Sequence, residues 1–313
     1  RQWQVVKEEY FTATGRCAVK TQTGLVLALK YHLSDNERLT EQMLRKLLRD
    51  NKNKLNTGFV GTPLLCNVLT EHGMTDLAYR LLLNEEYPGW LHEVKLGATT
   101  VWERWNSLDE NGRISSTGMN SLNHYSYGAV LEWIFRHVAG IDVTEQGPGG
   151  KMMRISPKVD HKLGSASAVY DSASGCYRCG WQIENGDQIT VTVTVPFGAK
   201  AQVILPYAPD SVYHDTDNPL FETVENGICC VKAGQYTVTY KAASPLKKSY
   251  SVDSTLEDLL AEPAIRAFLS NMMEVDMIPD LAYGLTLRQA AEAFAGGVSA
   301  EQAQRLNALL EEF

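Results

Sequence analysis

Apolar residues recur at helical spacing through the first third of the chain. One set shares a face of a helical wheel: Leu39, Met43, Leu44, Leu47 and Leu48. A second set shares another: Tyr125, Ala129, Val130, Trp133, Ile134 and Val138. Gly73 and Gly140 stand where such helices would end. Residues 1–145 are therefore predicted to form paired helices with almost no strand, and Trp133 is assigned to the core.

The apolar period changes from 3.6 to 2 after the glycine-rich stretch at residues 146–150. Ile189, Val191, Val193 and Val195 alternate with threonines, a pattern typical of half-buried strands. Asn185-Gly186 and Asn226-Gly227 are hairpin turn signals. The glycine-rich stretch lacks the Lys-Ser/Thr pair of a phosphate loop and is interpreted as a linker. Residues 146–247 are predicted to form an antiparallel β-sandwich.

Residues 248–313 return to a helical pattern with three candidate capping boxes. These pair Ser254 with Glu257, Thr286 with Gln289, and Ser299 with Gln302. Breaks are predicted at Pro263, Pro279 and Gly296-Gly297. We expect about three short helices in a small module with a capping or interaction role. The fold class is thus α plus β and multidomain.

Charge and hydropathy exclude two classes of partner. The formal charge of the 313 residues is −8, which leaves no basic stripe to neutralise a phosphate backbone, so nucleic acid is not expected. No apolar run approaches the roughly 20 residues that span a bilayer, and no membrane partner is expected. The chain opens Arg1-Gln2-Trp3 without a Met, from which we expect the natural N-terminus to lie upstream.

The six cysteines are predicted to be free thiols, because Cys229 and Cys230 are vicinal and the others are dispersed. Free thiols favour a cytoplasmic location. Cys176 and Cys179 have C-x-x-C spacing, but no second such pair or histidine pair accompanies them. They are interpreted as two cysteines of one strand or turn, and no metal is predicted.

Residues 87–128 hold the side chains that a sugar site needs. Sugar rings present apolar C–H faces that stack on aromatic rings, and hydroxyls that require oriented donors and acceptors. Trp90, Trp102 and Trp105 supply the first kind of surface, and Asn123 and His124 supply the second.

Glu103 is the central carboxylate of this segment, flanked by Trp102, Arg104 and Trp105. An ionised glutamate there could act as a general base. On residue chemistry alone, a core ion pair with an arginine explains Glu103 equally well. A structural role for His124 and a core position for Trp90 are further alternatives on the same ground.

Five runs along the chain carry a family resemblance. They are Thr57–Pro63 (TGFVGTP), Asp76–Tyr79 (DLAY), Tyr87–Trp90 (YPGW), Gly97–Trp105 (GATTVWERW) and Asn123–Val130 (NHYSYGAV). In order and spacing, including the 21 positions from Glu103 to His124, they resemble the α-L-rhamnosidases of glycoside hydrolase family seventy-eight. Gly89 and Val101 depart from the expected Ser and Ile. The similarity covers about residues 10–245.

The resemblance implies a partial (α/α)6 toroid followed by a C-terminal β-sandwich. It assigns Glu103 as the general base and His124 as a sugar contact. Trp90, Trp102 and Trp105 would wall the pocket, with Arg104 and Asn123 as further substrate-binding candidates. Neither cofactor nor metal is implied.

The resemblance also implies that the general acid lies in an acidic Asp- and Arg-rich motif of the first toroid half. Nothing in residues 1–50 matches that motif. We therefore expect about half of the twelve toroid helices here, with the acid upstream.

The expected reaction is inverting hydrolysis of terminal α-L-rhamnose from rhamnose-containing glycosides. A non-catalytic carbohydrate-binding fragment and a toroid glycosidase for a different sugar remain alternatives. Homo-oligomerisation stays open.

Overall fold

The computed structural model describes residues 2–115, 118–215, 217–294 and 296–311. The chain divides into two compact units, Arg1–Leu246 and Lys247–Phe313. The first unit contains helices followed by two β-sheets, and the second is helical. This order confirms the α plus β fold class. The finer domain boundaries at 145/146 and 247/248 stay predictions.

Seven α-helices of the first unit lie in the described ranges. They are α1 Gln2–Tyr10, α2 Gln22–Lys30, α3 Glu37–Asp50, α4 Thr62–Glu71, α5 Thr75–Leu82, α6 Trp90–Lys95 and α7 Val130–Trp133. Two begin at side-chain caps: Thr21 Oγ1 accepts from the Gly24 N–H, and Asn36 Oδ1 accepts from the Leu39 N–H. Helix α2 packs against α3 and α4, and α4 packs against α5.

The segment around α7 departs from the regular helix that its apolar spacing predicts. A 3-10 turn, Ser126–Ala129, precedes α7, and a π-helical segment, Ile134–Val138, follows it. The 3.6-residue wheel does not apply across these turns, so placing Tyr125 on the buried face is wrong: its side chain is 83% exposed. Trp133 is fully buried as predicted, and its Nε1 donates to Thr70 Oγ1 at 2.8 Å.

Nine strands in the described ranges form two sheets. They are β1 Ile141–Val143, β2 Met152–Ile155, β3 Ser165–Ser172, β4 Gly175–Glu184, β5 Gln188–Val195, β6 Lys200–Val203, β7 Val224–Glu225, β8 Ile228–Val231 and β9 Gly234–Lys241. One sheet has the order β1-β2-β6-β8-β7 and the other β3-β4-β5-β9. The predicted hairpin turns are confirmed, because Asn185-Gly186 joins β4 to β5 and Asn226-Gly227 joins β7 to β8, all with positive φ.

The two sheets share one apolar core, which makes them a sandwich. Alternate residues of β5, including Val191 and Val193, are buried with Met153 of β2 and Val203 of β6. All strand pairs are antiparallel except β2 with β6, which are parallel. The chain visits the other sheet between these two strands, and this long crossover permits the parallel pairing that the alternation alone did not predict.

The helical segment is joined to the sandwich through β4. Trp181 Nε1 donates to the Val138 carbonyl at 2.7 Å, at the end of the π-helical segment. The Tyr79 hydroxyl of α5 donates to the Lys158 carbonyl. Both bonds satisfy polar atoms at a buried junction, so the sandwich supports the helices that carry the candidate site.

The second unit contains α8 Leu256–Ala261, α9 Pro263–Ser270, α10 Leu287–Phe294 and α11 Ala300–Leu310. The described residues contain four helices where about three were expected. The predicted break at Pro263 is confirmed, since α8 ends at Ala261 and the proline begins α9. The capping boxes at Thr286 and Ser299 are confirmed. The third is displaced by one residue, since Thr255 and not Ser254 caps α8.

An isolated antiparallel bridge joins two helix starts in the second unit. Leu256 N–H donates to the Leu285 carbonyl, and Leu287 N–H donates to the Ser254 carbonyl. The starts of α8 and α10 thus pair reciprocally around the Thr255–Thr286 bridge.

Across the described part of the chain, no helix is long and apolar enough to cross a membrane.

Candidate functional site

Main-chain hydrogen bonds bring Glu103 and His124 onto adjacent segments. The His124 N–H donates to the Val101 carbonyl at 2.8 Å, and the Glu103 N–H donates to the Ser121 carbonyl at 2.9 Å. Residues 101–103 therefore run alongside residues 121–124 in an antiparallel sense. This main-chain pairing brings Glu103 and His124, which are 21 positions apart in sequence, onto neighbouring segments.

Buried Ser107 organises the loop between these segments. Its Oγ accepts from the Arg104 N–H at 3.1 Å, and its carbonyl accepts from the Ser115 N–H and from Asn120 Nδ2, both at 3.0 Å. These bonds satisfy main-chain groups of the loop that follows Glu103.

Six aromatic rings form a continuous row beside Glu103. The row runs Trp90, Trp105, Tyr127, Phe59, His124, Tyr125, with successive ring centroids 5.4, 3.9, 5.5, 4.8 and 5.2 Å apart. Trp105 and Tyr127 are buried, whereas Phe59 and Tyr125 are exposed. The aromatic row thus has a buried end that fixes it and an exposed end that can meet a ligand.

Phe59 reaches the aromatic row from a tight loop between α3 and α4. Thr57 Oγ1 and Thr62 Oγ1 close this loop at 2.7 Å. A Cβ at Gly61 would lie 2.4 Å from Thr23 Oγ1, so only glycine fits there. Phe59 is 44% exposed and presents its ring next to His124.

The His124 imidazole accepts a hydrogen bond at one nitrogen. The Ser126 N–H donates to Nδ1 at 3.3 Å. A neutral imidazole in this state carries its proton on Nε2, which can donate to a ligand hydroxyl.

Glu93 of α6 carries a buried carboxyl group within the candidate site, and the residue is 4% exposed. Its Oε1 is buried with no hydrogen-bond partner in the described ranges. Burial raises the pKa of Glu93 to about 7, against the smaller opposing effect of the Trp102 backbone N–H. A carboxyl held this way titrates near neutral pH.

The raised pKa of Glu93 predicts a pH-dependent stability effect. The unfolded chain ionises Glu93 near the ordinary value of 4.5, while the folded chain keeps the proton up to about pH 7. The folded state therefore binds more protons in this window, and stability falls as pH rises through it. Glu93→Gln is expected to raise the free energy of unfolding by about 3 kcal/mol at pH 8. Urea denaturation at pH 4 should show almost no difference, and an equal difference at both pH values would contradict this origin.

The structure places the sequence-predicted site residues at different depths. Glu103 is half-buried, and among the described residues no cation forms an ion pair with it. Asn123 is exposed, with its N–H bonded to Ser121 Oγ. Trp102 and Trp105 are buried beneath the site, and sugar contact by either ring stays a prediction.

Two further predicted residues are tied to Tyr127. Trp90 donates from Nε1 to the Tyr127 carbonyl at 2.9 Å, which fixes the ring at the buried end of the aromatic row. The Arg104 guanidinium interacts electrostatically with the Tyr127 hydroxyl. Substrate binding by Trp90 or Arg104 stays a prediction.

Sequence reasoning missed Glu93, Tyr127 and Phe59 as parts of the site. A signal existed for Glu93, because it lies three positions after Trp90 and so shares its helix face. Phe59 was visible as an aromatic residue between glycines at 58 and 61.

Within the described ranges, no group of three His, Cys, Asp or Glu side chains could hold a metal ion. All six cysteines are free thiols, and Cys176 and Cys179 both lie on β4.

Comparison with known proteins matches two consecutive stretches. Residues 3–138 match the bacterial alpha-L-rhamnosidase 6 hairpin glycosidase domain, and residues 140–218 match the bacterial alpha-L-rhamnosidase C-terminal domain. An alpha-L-rhamnosidase of Alteromonas sp. (strain LOR) is 39% identical over 221 residues, which is 69% of this chain and 23% of that protein. One from Formosa agariphila is 39% identical over 208 residues, 66% of this chain and 22% of that protein.

Solved structures agree with the sequence comparisons. The crystal structure of Streptomyces avermitilis alpha-L-rhamnosidase complexed with L-rhamnose has a TM-score of 0.68 and 32% identity. The match covers 76% of this chain and 23% of the Streptomyces avermitilis chain. The crystal structure of native α-L-rhamnosidase from Aspergillus terreus has a TM-score of 0.66 and 28% identity. That match covers 78% of this chain and 26% of the Aspergillus terreus chain. The chain spans about a quarter of the length of these relatives. It belongs to the bacterial α-L-rhamnosidase family, matching its six-hairpin glycosidase and C-terminal domains.

Proposed function

We propose that this chain supplies the general-base side of an inverting α-L-rhamnosidase active site. The observation that carries the proposal is the pairing of residues 101–103 with residues 121–124, beside the exposed end of the aromatic row. It places a carboxylate with no ion-pair partner in the described ranges next to an imidazole and an accessible ring face. These are the groups that activate water and bind a sugar.

In the proposed reaction, Glu103 removes a proton from the water that attacks the anomeric carbon. A separate carboxylic acid on the opposite face of the ring protonates the leaving oxygen. The two carboxyls should stand roughly 6.5–9.5 Å apart, which leaves room for the water. His124 Nε2 donates to a sugar hydroxyl, and the exposed Phe59 ring covers a C–H face.

Glu93 does not fit the role of the acid, although burial raises its pKa to about 7. The side chain is 4% exposed, and one carboxyl oxygen is fully enclosed. A general acid must reach the leaving oxygen within hydrogen-bond distance. We therefore propose that the acid comes from sequence outside this chain, as part of a longer protein that completes the toroid.

The substrate class is proposed from the family and from one structural relative. The Streptomyces avermitilis relative, at 32% identity, is complexed with L-rhamnose. A rhamnose-containing glycoside is accordingly the proposed substrate. No step of the proposed mechanism requires a metal or a cofactor.

A panel of aryl glycosides tests this assignment on the longer protein. The α-L-rhamnoside should be cleaved at least tenfold faster than the matched α-L-arabinoside, β-D-glucoside and α-L-fucoside, because a closed sugar site discriminates by its polar groups. NMR of the first-formed product should show inversion. Faster turnover of another sugar would support the alternative toroid glycosidase. Binding of L-rhamnose with no turnover by the longer protein would favour a non-catalytic carbohydrate-binding role.

A further inference from the structure

The His124 imidazole has two stacked ring neighbours and one hydrogen bond. Phe59 stacks with it at a centroid distance of 4.8 Å and an interplanar angle of 22°, and Tyr125 does so at 5.2 Å and 16°. The Ser126 N–H donates to Nδ1 at 3.3 Å. Within the described ranges Nε2 makes no hydrogen bond, so it is the ring nitrogen left for a ligand.

The Ser126 bond by itself holds the imidazole weakly. Good N–H donor bonds span roughly 2.7–3.2 Å, and this one is longer, at 3.3 Å. The bond from the His124 N–H to the Val101 carbonyl, at 2.8 Å, fixes the backbone but leaves the side-chain torsions free. The orientation of the imidazole plane therefore depends on the two stacked rings, since aromatic rings attract in offset-stacked geometry at centroid distances of roughly 4.5–7 Å.

Core packing does not explain the position of the Tyr125 ring. The residue is 83% exposed, so the ring removes little apolar surface from water. In the described part of the chain, His124 is its one ring contact. The Tyr125 main chain is held separately, because its carbonyl accepts from the Gly128 N–H at 3.0 Å in the 3-10 turn. The contact that the side chain supplies is thus the one to the imidazole.

The two rings that stack with His124 come from separate segments. Phe59 lies in the loop that Thr57 and Thr62 close before α4, and Tyr125 directly precedes the 3-10 turn Ser126–Ala129. Both backbones are tied by hydrogen bonds of their own. The imidazole is therefore oriented before a ligand arrives, which lowers the entropic cost of ordering it on binding.

We propose that Tyr125 is a positioning residue that keeps the His124 imidazole stacked against Phe59, with Nδ1 on the Ser126 N–H and Nε2 directed to a sugar hydroxyl. Hydrogen bonds weaken steeply when donor and acceptor are misaligned, so an imidazole free to turn about its torsions would bind that hydroxyl less well. The functional part of this inference rests on the proposed hydrolase, in which His124 binds the sugar. The stack itself does not.

Amide hydrogen exchange in the 313-residue chain tests the stack without any activity. The Ser126 amide should exchange about tenfold faster in Tyr125→Ala than in wild type, because the imidazole then leaves the Ser126 N–H. His124→Ala removes the acceptor altogether and sets the upper limit of the effect. Tyr125→Phe keeps the ring and should keep the slow exchange.

Two outcomes of the exchange experiment overturn the proposal. One is a Ser126 amide that exchanges at the wild-type rate in Tyr125→Ala while His124→Ala accelerates it, because the imidazole then keeps its place without the tyrosine. The other is a wild-type rate in both variants, because the imidazole then does not hold the Ser126 amide at all.

Kinetics of the longer protein test whether Tyr125 acts through His124. Tyr125→Ala should lower kcat/KM for an aryl α-L-rhamnoside about tenfold, and Tyr125→Phe should restore it to within about threefold of wild type. In a His124→Ala background, Tyr125→Ala should have almost no further effect, because changes at two residues in contact are not additive. An undiminished tenfold loss in that background would mean that Tyr125 contacts the ligand directly, which contradicts positioning.

Tyr170→Ala is the matched control for Tyr125→Ala. Tyr170 is an exposed tyrosine of β3, in the sandwich, so its removal deletes the same ring without touching the aromatic row. It should leave kcat/KM within about twofold of wild type. The melting temperature of Tyr125→Ala should also stay close to that of wild type, since the lost ring is mostly exposed.

Failure of the positioning role and failure of the proposed hydrolase are distinguishable. An inactive wild-type longer protein contradicts the hydrolase, while exchange of the Ser126 amide still decides the stack. An active wild type whose Tyr125→Ala variant keeps the wild-type kcat/KM contradicts positioning alone.

Discussion

Replacing Glu103 by Gln in the longer protein should lower kcat for an aryl α-L-rhamnoside on the order of 10³-fold or more. The amide keeps the size and main-chain bonding of the residue but cannot take a proton from water. The Glu103 N–H bond to Ser121 involves only the main chain, so the melting temperature should change little. Steady-state kinetics and thermal unfolding measure the two quantities.

Glu110→Gln is the matched control for Glu103→Gln. Glu110 is an exposed carboxylate on the turn of the same loop, so its removal changes net charge equally without touching the aromatic row. It should leave kcat within about twofold, as surface substitutions usually do little. If Glu103→Gln instead unfolds the protein and Glu110→Gln does not, Glu103 has a structural role and the proposed base is wrong.

The 313-residue chain by itself is expected to show no hydrolysis of α-L-rhamnosides above background. Inverting cleavage needs an acid on the far side of the sugar, and the only buried carboxyl near Glu103 among the described residues, Glu93, is enclosed. The deficit should be largest for a methyl or phenyl leaving group, which depends on protonation. A 4-nitrophenyl group depends on it least.

The Glu103→Gln form of the 313-residue chain controls for contaminating enzyme. Hydrolysis by the purified chain that disappears in Glu103→Gln would refute the claim that the acid lies elsewhere. Hydrolysis that is equal in both forms would identify contamination. Intrinsic tryptophan fluorescence with added L-rhamnose then measures whether the aromatic row binds sugar without catalysis, since Trp90 and Trp105 lie within it.

Local pattern was sufficient wherever a structure depends on neighbours in sequence. The alternation of β5 placed Val191 and Val193 in the sandwich core, and the Asn-Gly pairs set both hairpin turns. Trp133 was recognisable as core from its helical period. These features follow from side-chain periodicity and backbone sterics, which act over a few residues.

Features that depend on distant partners were not visible in this way. The helical wheel predicted a buried Tyr125 because it did not anticipate the 3-10 turn before α7. The parallel pairing of β2 with β6 depends on a crossover through the other sheet. The break at Pro263 was visible in the sequence, but not that a further helix, α9, begins at this proline. Choosing between these outcomes requires the packing of the whole chain.

The candidate site likewise combines features that the sequence predicted with features that only the tertiary structure revealed. By itself the sequence predicted Glu103 and His124 as site residues, since five runs in matching order resemble one family, and it assigned them to a loop-rich segment among aromatic residues. Only the tertiary structure showed that Glu103 has no ion-pair partner among the described residues. It also showed that main-chain hydrogen bonds pair residues 101–103 with residues 121–124. The reason is physical: burial and hydrogen-bond geometry are properties of groups brought together in space, and Glu93 acquires its raised pKa only when folding encloses it.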